Sequence, residues 1–312
     1  MLTGEYFVIE GARALALPVR FGQWLTLTPA ADEQLHWRAL DEQGREWFAA
    51  TYDPHTLEPR HATDDPMAWR LQTILEAAIR LQPAFREKLR GTLATTRLEF
   101  PRQWGLGSSS TLLSNIARWA GVDPFALLEA SFGGSGYDIA AATLDGPFVF
   151  WRTPTGQGGW QPHWQRVPFD PPWARHLWFV WLENKQDSRE GIRAFKAISE
   201  RISLRPLIQS ISRITEQTVT APTLEAFEEL MLRHEEIVAH TLSLEPVRQR
   251  RFPDYEAGIV KSLGAWGGDF VLVTSRMSAE QTRAWFARKG YDTCLHWSEM
   301  VKREPPEKMD EG

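Results

Sequence analysis

Cysteine is nearly absent: one residue, Cys294, stands in 312. A single thiol can form neither an intramolecular disulfide nor a thiolate metal cluster, and this fits a reducing, cytoplasmic setting. Long apolar runs are also missing. No stretch approaches the roughly 18 consecutive apolar residues of a membrane span, and the opening MLTGEYFVIEGARALAL carries no basic segment of a secretory leader. Excess positive charge is lacking too. Lys and Arg number 35 against 40 Asp and Glu, a net charge of −5, which argues against a general nucleic-acid binder but leaves room for a local basic pocket. No internal repeat or low-complexity tract occurs. What is abundant is tryptophan, with fifteen residues scattered singly. That spacing suits core and groove-lining bulk rather than a dedicated stacking array.

The length allows two domains. Residues 5–9 (EYFVI) read as a strand, and residues 14–28 as a strand pair broken by Pro18 and Gly22. Residues 34–40 and 46–52 flank the hairpin signal Asp41-Glu42-Gln43-Gly44. Helix periodicity covers residues 67–81, ahead of Pro83. Residues 92–100 form a strand. A short helix follows Asp123-Pro124, with aspartate as cap and proline at the first helical position. Residues 146–151 read as a strand and 153–159 (TPTGQGG) as a loop, the sharpest composition break and a candidate domain boundary. Beyond it, LWFVWL (177–182) is an apolar strand. Helices are expected from Ser188 through Ile198, over 203–220, 223–240 and 254–263, and over 278–289. Strands are expected at 270–274 and 291–297. Strands interleaved with helices after a β-rich start predict an α+β fold in two layers.

Residues 101–119 (PRQWGLGSSSTLLSNIARW) organise this pattern. A strand ends at Pro101, a glycine-serine segment follows, and a helix begins with Leu112, Leu113, Ile116, Ala117 and Ala120 on one stripe. Glycines permit close backbone approach, and a helix N-terminus offers unpaired N–H groups with the positive end of the dipole. An anion such as phosphate fits there. A serine-capped turn without a ligand fits the spacing equally well.

Three further segments break that tie. Residues 3–9 (TGEYFVI), the loop 101–109 (PRQWGLGSS) and residues 261–269 (KSLGAWGGD) occur in order, with GSGYDIA at 134–140 between the last two. Together they resemble the GHMP kinases, the superfamily of galactose, homoserine, mevalonate and phosphomevalonate kinases. The GYDIA string is similar to that of a bacterial subfamily named after it. The resemblance spans essentially the whole chain. It implies a two-domain α+β fold: a domain like ribosomal protein S5 domain 2 over residues 1–160 and a ferredoxin-like domain over 161–312, with the site between them. It also implies a cytoplasmic monomer or homodimer. Its activity would be phosphoryl transfer from Mg²⁺-ATP to a hydroxyl or phosphate acceptor, mevalonate or phosphomevalonate among the candidates. Nucleic acid and membrane would not be partners.

The family positions carry over residue by residue. The loop Gly105, Leu106, Gly107, Ser108, Ser109 and Ser110, with Gly264, Ala265, Gly267 and Gly268, would hold ATP; Ser109 and Glu129 would meet Mg²⁺. Glu129 sits a few residues off the family's glutamate. Asp138 would be catalytic base or substrate-orienting carboxylate, its pKa lowered by a helix N-terminus. Glu5, Tyr6, Ser135, Gly136, Lys185, Ser188 and Arg189 would contact the acceptor. The plainer alternatives are helix caps for Ser109 and Asp138, a solvated face for Glu129, and ordinary turns for residues 264–268 and 183–189. His234 and His240 share a predicted helix at a spacing unlike a zinc pair, so packing or surface roles are expected. The chain departs from the family twice. Met1-Leu2-Thr3 stands where a Pro-Gly-Lys segment is usual, and Trp266 fills a usually small position. A decarboxylase that phosphorylates first, and a non-catalytic nucleotide- or metabolite-binding protein, remain alternative readings.

Overall fold

The Gly4-Glu5-Tyr6 segment does not extend into the expected strand. Tyr6 adopts φ 62° and ψ −49°, and residues Phe7–Glu10 wind into a single 3₁₀ turn. The computed structural model that shows this describes residues 1–156, 159–183, 188–200, 203–264, 266 and 269–302, with 188–190 by backbone alone. The turn buries Phe7, Val8 and Ile9 together. A strand would have sent Val8 to the opposite face from its neighbours. Strand β1 (Ala14–Ala16) follows.

The chain packs into two compact units. One comprises Phe21–Arg102 and Leu106–Thr143; the other comprises Met1–Arg20, Gln103–Gly105 and Leu144–Gly312. The first holds β2 (Gln23–Pro29), β3 (Leu35–Leu40), β4 (Glu46–Tyr52), β5 (Pro59–Ala62) and β6 (Thr92–Leu98). Their order is β2-β6-β3-β4-β5, antiparallel except for the parallel β3–β6 pair. Alternate residues Leu35, Trp37, Ala39 and Phe48, Ala50, Tyr52 are buried, the period-2 pattern of a sheet with one packed face. Against that face lie α1 (Asp65–Leu81), α2 (Phe85–Leu89), α3 (Ser108–Ala120), α4 (Pro124–Ser131) and α5 (Tyr137–Thr143). Asp64 caps α1 and Asp123 caps α4 through their carboxylates, and a proline follows within two residues in each.

In the other unit, β1 pairs with β7 (Phe148–Pro154), which pairs with β8 (Trp160–Arg166). The composition break at 153–159 therefore joins two strands of one sheet. A second antiparallel sheet has the order β10-β11-β9-β12, built from β9 (Leu177–Trp181), β10 (Val260–Ser262), β11 (Phe270–Thr274) and β12 (Cys294–His296). The helices are α6 (Ser188–Ser199), α7 (Arg205–Val219), α8 (Leu224–Leu242), α9 (Val247–Arg251), α10 (Ala279–Arg288) and α11 (Trp297–Met300). Residues 254–263, expected to be helical, instead supply β10. Val260, Lys261 and Ser262 are all buried and pair with β11, while Ile259 N–H donates to Thr274 Oγ1 at 2.9 Å. Tertiary pairing here overrides local propensity. Among the described residues no helix is long and apolar enough to cross a membrane.

Candidate functional site

In the unit built on the five-stranded sheet, α3 begins at Gly107, whose φ of 79° is left-handed. No side chain caps this end, so the serines do not serve as the expected cap. The Gly107 carbonyl accepts from the N–H groups of Ser110 and Thr111, each at 3.0 Å. The N–H groups of Ser108 and Ser109, at the start of the helix, lack intrahelical acceptors by construction. Ser109 is exposed; Leu106, Ser108 and Ser110 are half-buried. The helix start is fixed from below. Thr111 Oγ1 donates to Gln23 Oε1 at 2.7 Å, and Asn115 Nδ2 donates to the Gln23 carbonyl at 2.8 Å.

Asp138 stands beside this helix end. A Cβ placed on Gly107 would lie 3.8 Å from its Oδ1 and 3.9 Å from its Cγ. Gly136 leads into α5, packed on Phe125, and its carbonyl accepts from Ile139 and Ala140; Ser135 is half-buried beside it. Burial raises the Asp138 pKa above the ordinary carboxyl value, against the opposing pull of a hydrogen bond with Tyr137. The shift is opposite to the depression expected from a helix N-terminus, and desolvation is its largest cause. The pair suits two tasks at once. An uncapped helix end can hold an anion, and a carboxylate of raised basicity can take a proton.

An uncapped helix end of this kind suits an anionic group such as a phosphate. For Mg²⁺ the protein offers less. No group of three or more His, Cys, Asp or Glu side chains that could hold a metal occurs among the described residues, and Glu129 is exposed on α4. Mg²⁺ keeps most of its waters and phosphate ligands, so few protein ligands are needed.

The other unit holds a buried polar cluster. Glu5 is 2% exposed, so it does not line a groove; its Oε1 accepts from Lys261 Nζ at 2.8 Å, and Lys261 is itself fully buried. Lys261 also donates to the Ser262 carbonyl at 2.7 Å. On α8, His234 Nε2 accepts the Gly4 N–H at 2.8 Å and lies 3.2 Å from Glu5 Oε2. Burial, with the nearby Lys261 charge, drives the His234 pKa well below its usual value, so the ring is neutral. The next residue, Glu235, accepts from the Ser262 N–H at 3.1 Å, the Ser262 hydroxyl at 3.0 Å and the Val247 N–H at 3.4 Å. Its own pKa is raised, chiefly by burial.

Tyr6 is buried, stacks on Phe195 of α6 with ring centroids 5.9 Å apart, and brings its hydroxyl against Gly191. Burial pushes its pKa up to about 12, with the Glu5 and Asp269 carboxylates adding to the shift. Trp266 has φ 32° and is buried in the same cluster as Tyr6, Phe7 and Phe195. Asp269 packs on Gly105, where φ is 67° and any Cβ would collide with that carboxylate. Gly264 has open space around it. Ser188 and Arg189 lie in the first turn of α6; Lys185, Ala265, Gly267 and Gly268 lie outside the described residues. Sequence reading missed His234 and Glu235 as partners of the motifs. Their contacts reach 230 and 27 residues along the chain, and no local pattern signals that.

The fold these elements make is the GHMP kinase fold. Among solved structures, a Lin0012 protein from Listeria innocua matches with TM-score 0.69 at 15% identity, covering 94% of this chain and 93% of that one. A mevalonate kinase from L. major, solved with R-mevalonate, matches with TM-score 0.62 at 16% identity over 92% and 87%. A Streptococcus pneumoniae phosphomevalonate kinase matches with TM-score 0.62 at 16% identity over 94% of each chain. No protein-family model and no curated protein matches the sequence.

Proposed function

We propose that the chain belongs to the GHMP superfamily and is an ATP-dependent small-molecule kinase. The observation that carries this reading is the Asp138 carboxylate beside Gly107 at the uncapped start of α3. Phosphoryl transfer asks for charge neutralisation and positioning more than covalent help. The backbone from Gly105 to Ser110 would hold the phosphates of ATP, the phosphoryl donor, and Ser109 and Glu129 are the candidate ligands of Mg²⁺, which would neutralise charge on them. Asp138 orients the acceptor hydroxyl and takes its proton. Ser135 and Gly136, which lead into α5 and Asp138, bind the acceptor. Likeness to the two kinases of mevalonate chemistry supports an acceptor of mevalonate or phosphomevalonate type.

The test is coupled detection of ADP with Mg²⁺-ATP and, in turn, R-mevalonate and phosphomevalonate. Diphosphomevalonate is added with carbon dioxide detection to expose a decarboxylase. ADP release with one acceptor is expected. Absence of any Mg²⁺-ATP binding in calorimetry at millimolar nucleotide overturns the reading. Binding without turnover on any acceptor supports instead a non-catalytic nucleotide-binding protein on the same fold. The observation favouring that second reading is Trp266, a bulky residue at positive φ in the C-terminal glycine loop.

A further inference from the structure

We infer that His234 and Glu235 are positioning residues that lock two separate motif segments, Gly4-Glu5 and Lys261-Ser262, into one rigid piece. The two side chains are consecutive on α8, yet each grips a different segment. His234 takes the Gly4 N–H at 2.8 Å, and Glu235 takes both the N–H and the hydroxyl of Ser262, at 3.1 and 3.0 Å. The Lys261–Glu5 ion pair at 2.8 Å closes the ring by joining the two segments directly. All five side chains or backbones involved are buried, with His234 and Lys261 at 0%, Glu5 and Ser262 at 2% and Glu235 at 3%. Such interactions gain strength away from water, and each is costly to leave unmade.

The arrangement is over-determined for mere packing. Two carboxylates, one ammonium and an imidazole occupy space that apolar residues would fill at less cost. With Nε2 accepting, the imidazole proton sits on Nδ1, and Glu5 Oε2 lies 3.2 Å from Nε2. What the links fix is the start of the glycine loop, because Ser262 ends β10 two residues before Gly264. The same ring fixes the residue before Tyr6, whose strained backbone sets its hydroxyl against α6. Strain at such a position persists only when its surroundings hold it. For function, this inference rests on reading residues 264–268 as a nucleotide loop. The mechanical coupling stands independently of that reading.

The experiment compares the full-length protein with His234→Leu, His234→Gln and Ser262→Ala by peptide-resolved hydrogen exchange and by Mg²⁺-ATP calorimetry. Ser262→Ala removes only one hydroxyl. It is expected to speed exchange both in its own segment, 259–264, and in the distant segment 2–8, while strand β3 exchanges as in the native protein. His234→Leu does the same from the other side, and His234→Gln, whose amide oxygen can replace Nε2 as acceptor, restores protection. Mg²⁺-ATP affinity falls about tenfold in His234→Leu and recovers in His234→Gln, the low end of what losing an orienting partner costs. The coupling is overturned if Ser262→Ala loosens residues 259–264 and leaves 2–8 unchanged, or if a folded His234→Gln stays as unprotected as His234→Leu. If the native protein binds no Mg²⁺-ATP, the kinase reading fails, and the exchange data alone decide the coupling.

Discussion

At the scale of single residues, Asp138 makes opposite demands on folding and on activity. Burial favours its neutral form, so its pKa in the folded chain stands above the ordinary 3.8. For a raised carboxyl, the stabilising contribution is full below the unfolded pKa and is lost as pH climbs through the folded one. Activity runs the other way, since a base must be ionised. The acid limb of the activity profile is therefore expected to have its midpoint above 3.8, read from kcat/KM against pH. Asp138→Asn should lower turnover by about 10² or more, the scale of a lost general base, with a melting temperature at pH 7 no lower than native. Near-native turnover in the asparagine variant would remove Asp138 from the chemistry. Glu5 and Lys261 make a second test. Lys261→Met strands a buried carboxylate and should cost about 3–5 kcal/mol in denaturant unfolding, whereas Glu5→Gln combined with Lys261→Met should cost less than the sum of the single changes. Additive costs would show that the pair is not an energetic unit.

At the scale of elements, α3 carries a built-in comparison. Gly107 begins it at φ 79° and Gly121 ends it at φ 76°. Alanine at either position takes on the same left-handed penalty, about 1 kcal/mol in thermal unfolding. Only at position 107 does the new methyl come into contact with the Asp138 carboxylate, at 3.8–3.9 Å; at 121 nothing lies within 4 Å. Gly107→Ala should therefore lose Mg²⁺-ATP affinity in calorimetry, and Gly121→Ala should keep it. Equal affinities would place the phosphates elsewhere. This helix was legible in the sequence because its signals are local: a strand ending at proline, glycines, then a period-3.6 stripe. The hairpin at Asp41–Gly44 and the cap Asp123 were legible for the same reason. Tyr6 and residues 254–263 were not. A β-branched, aromatic run reads as a strand, but Tyr6 takes a positive φ of 62° where it packs on Phe195 and Gly191. Residues 260–262 look helical in isolation, yet pair with β11, and Glu235 accepts from both the N–H and the hydroxyl of Ser262. The site followed the same rule. Its glycine loop and GYDIA aspartate showed as strings, whereas the His234–Glu235 grip depends on contacts that only the folded chain creates.

At the scale of the whole molecule, the two compact units cut across the order of the chain. The unit on the five-stranded sheet is almost one continuous stretch, and among the described residues its core, from Leu35 to Ile139, is built from that stretch. The other unit needs both ends of the sequence. Residues 1–20 supply β1 to the β7–β8 sheet, the Thr3 hydroxyl bonded to Thr215 at 2.7 Å, and Glu5 as the counter-charge of Lys261. A division into 1–160 and 161–312 separates Lys261 from Glu5 and His234 from Gly4. Expressed alone, residues 21–143 should fold cooperatively, with a single thermal transition and dispersed amide resonances, because every large apolar contact of their core is retained. Residues 161–312 should not, because Lys261 is left in the interior without its carboxylate, an uncompensated charge costing about 3–5 kcal/mol out of a typical total of 5–15. Joining residues 1–20 to 144–312 through a flexible linker should restore a cooperative transition, and Glu5→Gln in that fusion should weaken it. A fragment 161–312 that melts as sharply as the fusion would show that the N-terminal segment is an accessory to this unit rather than part of its core.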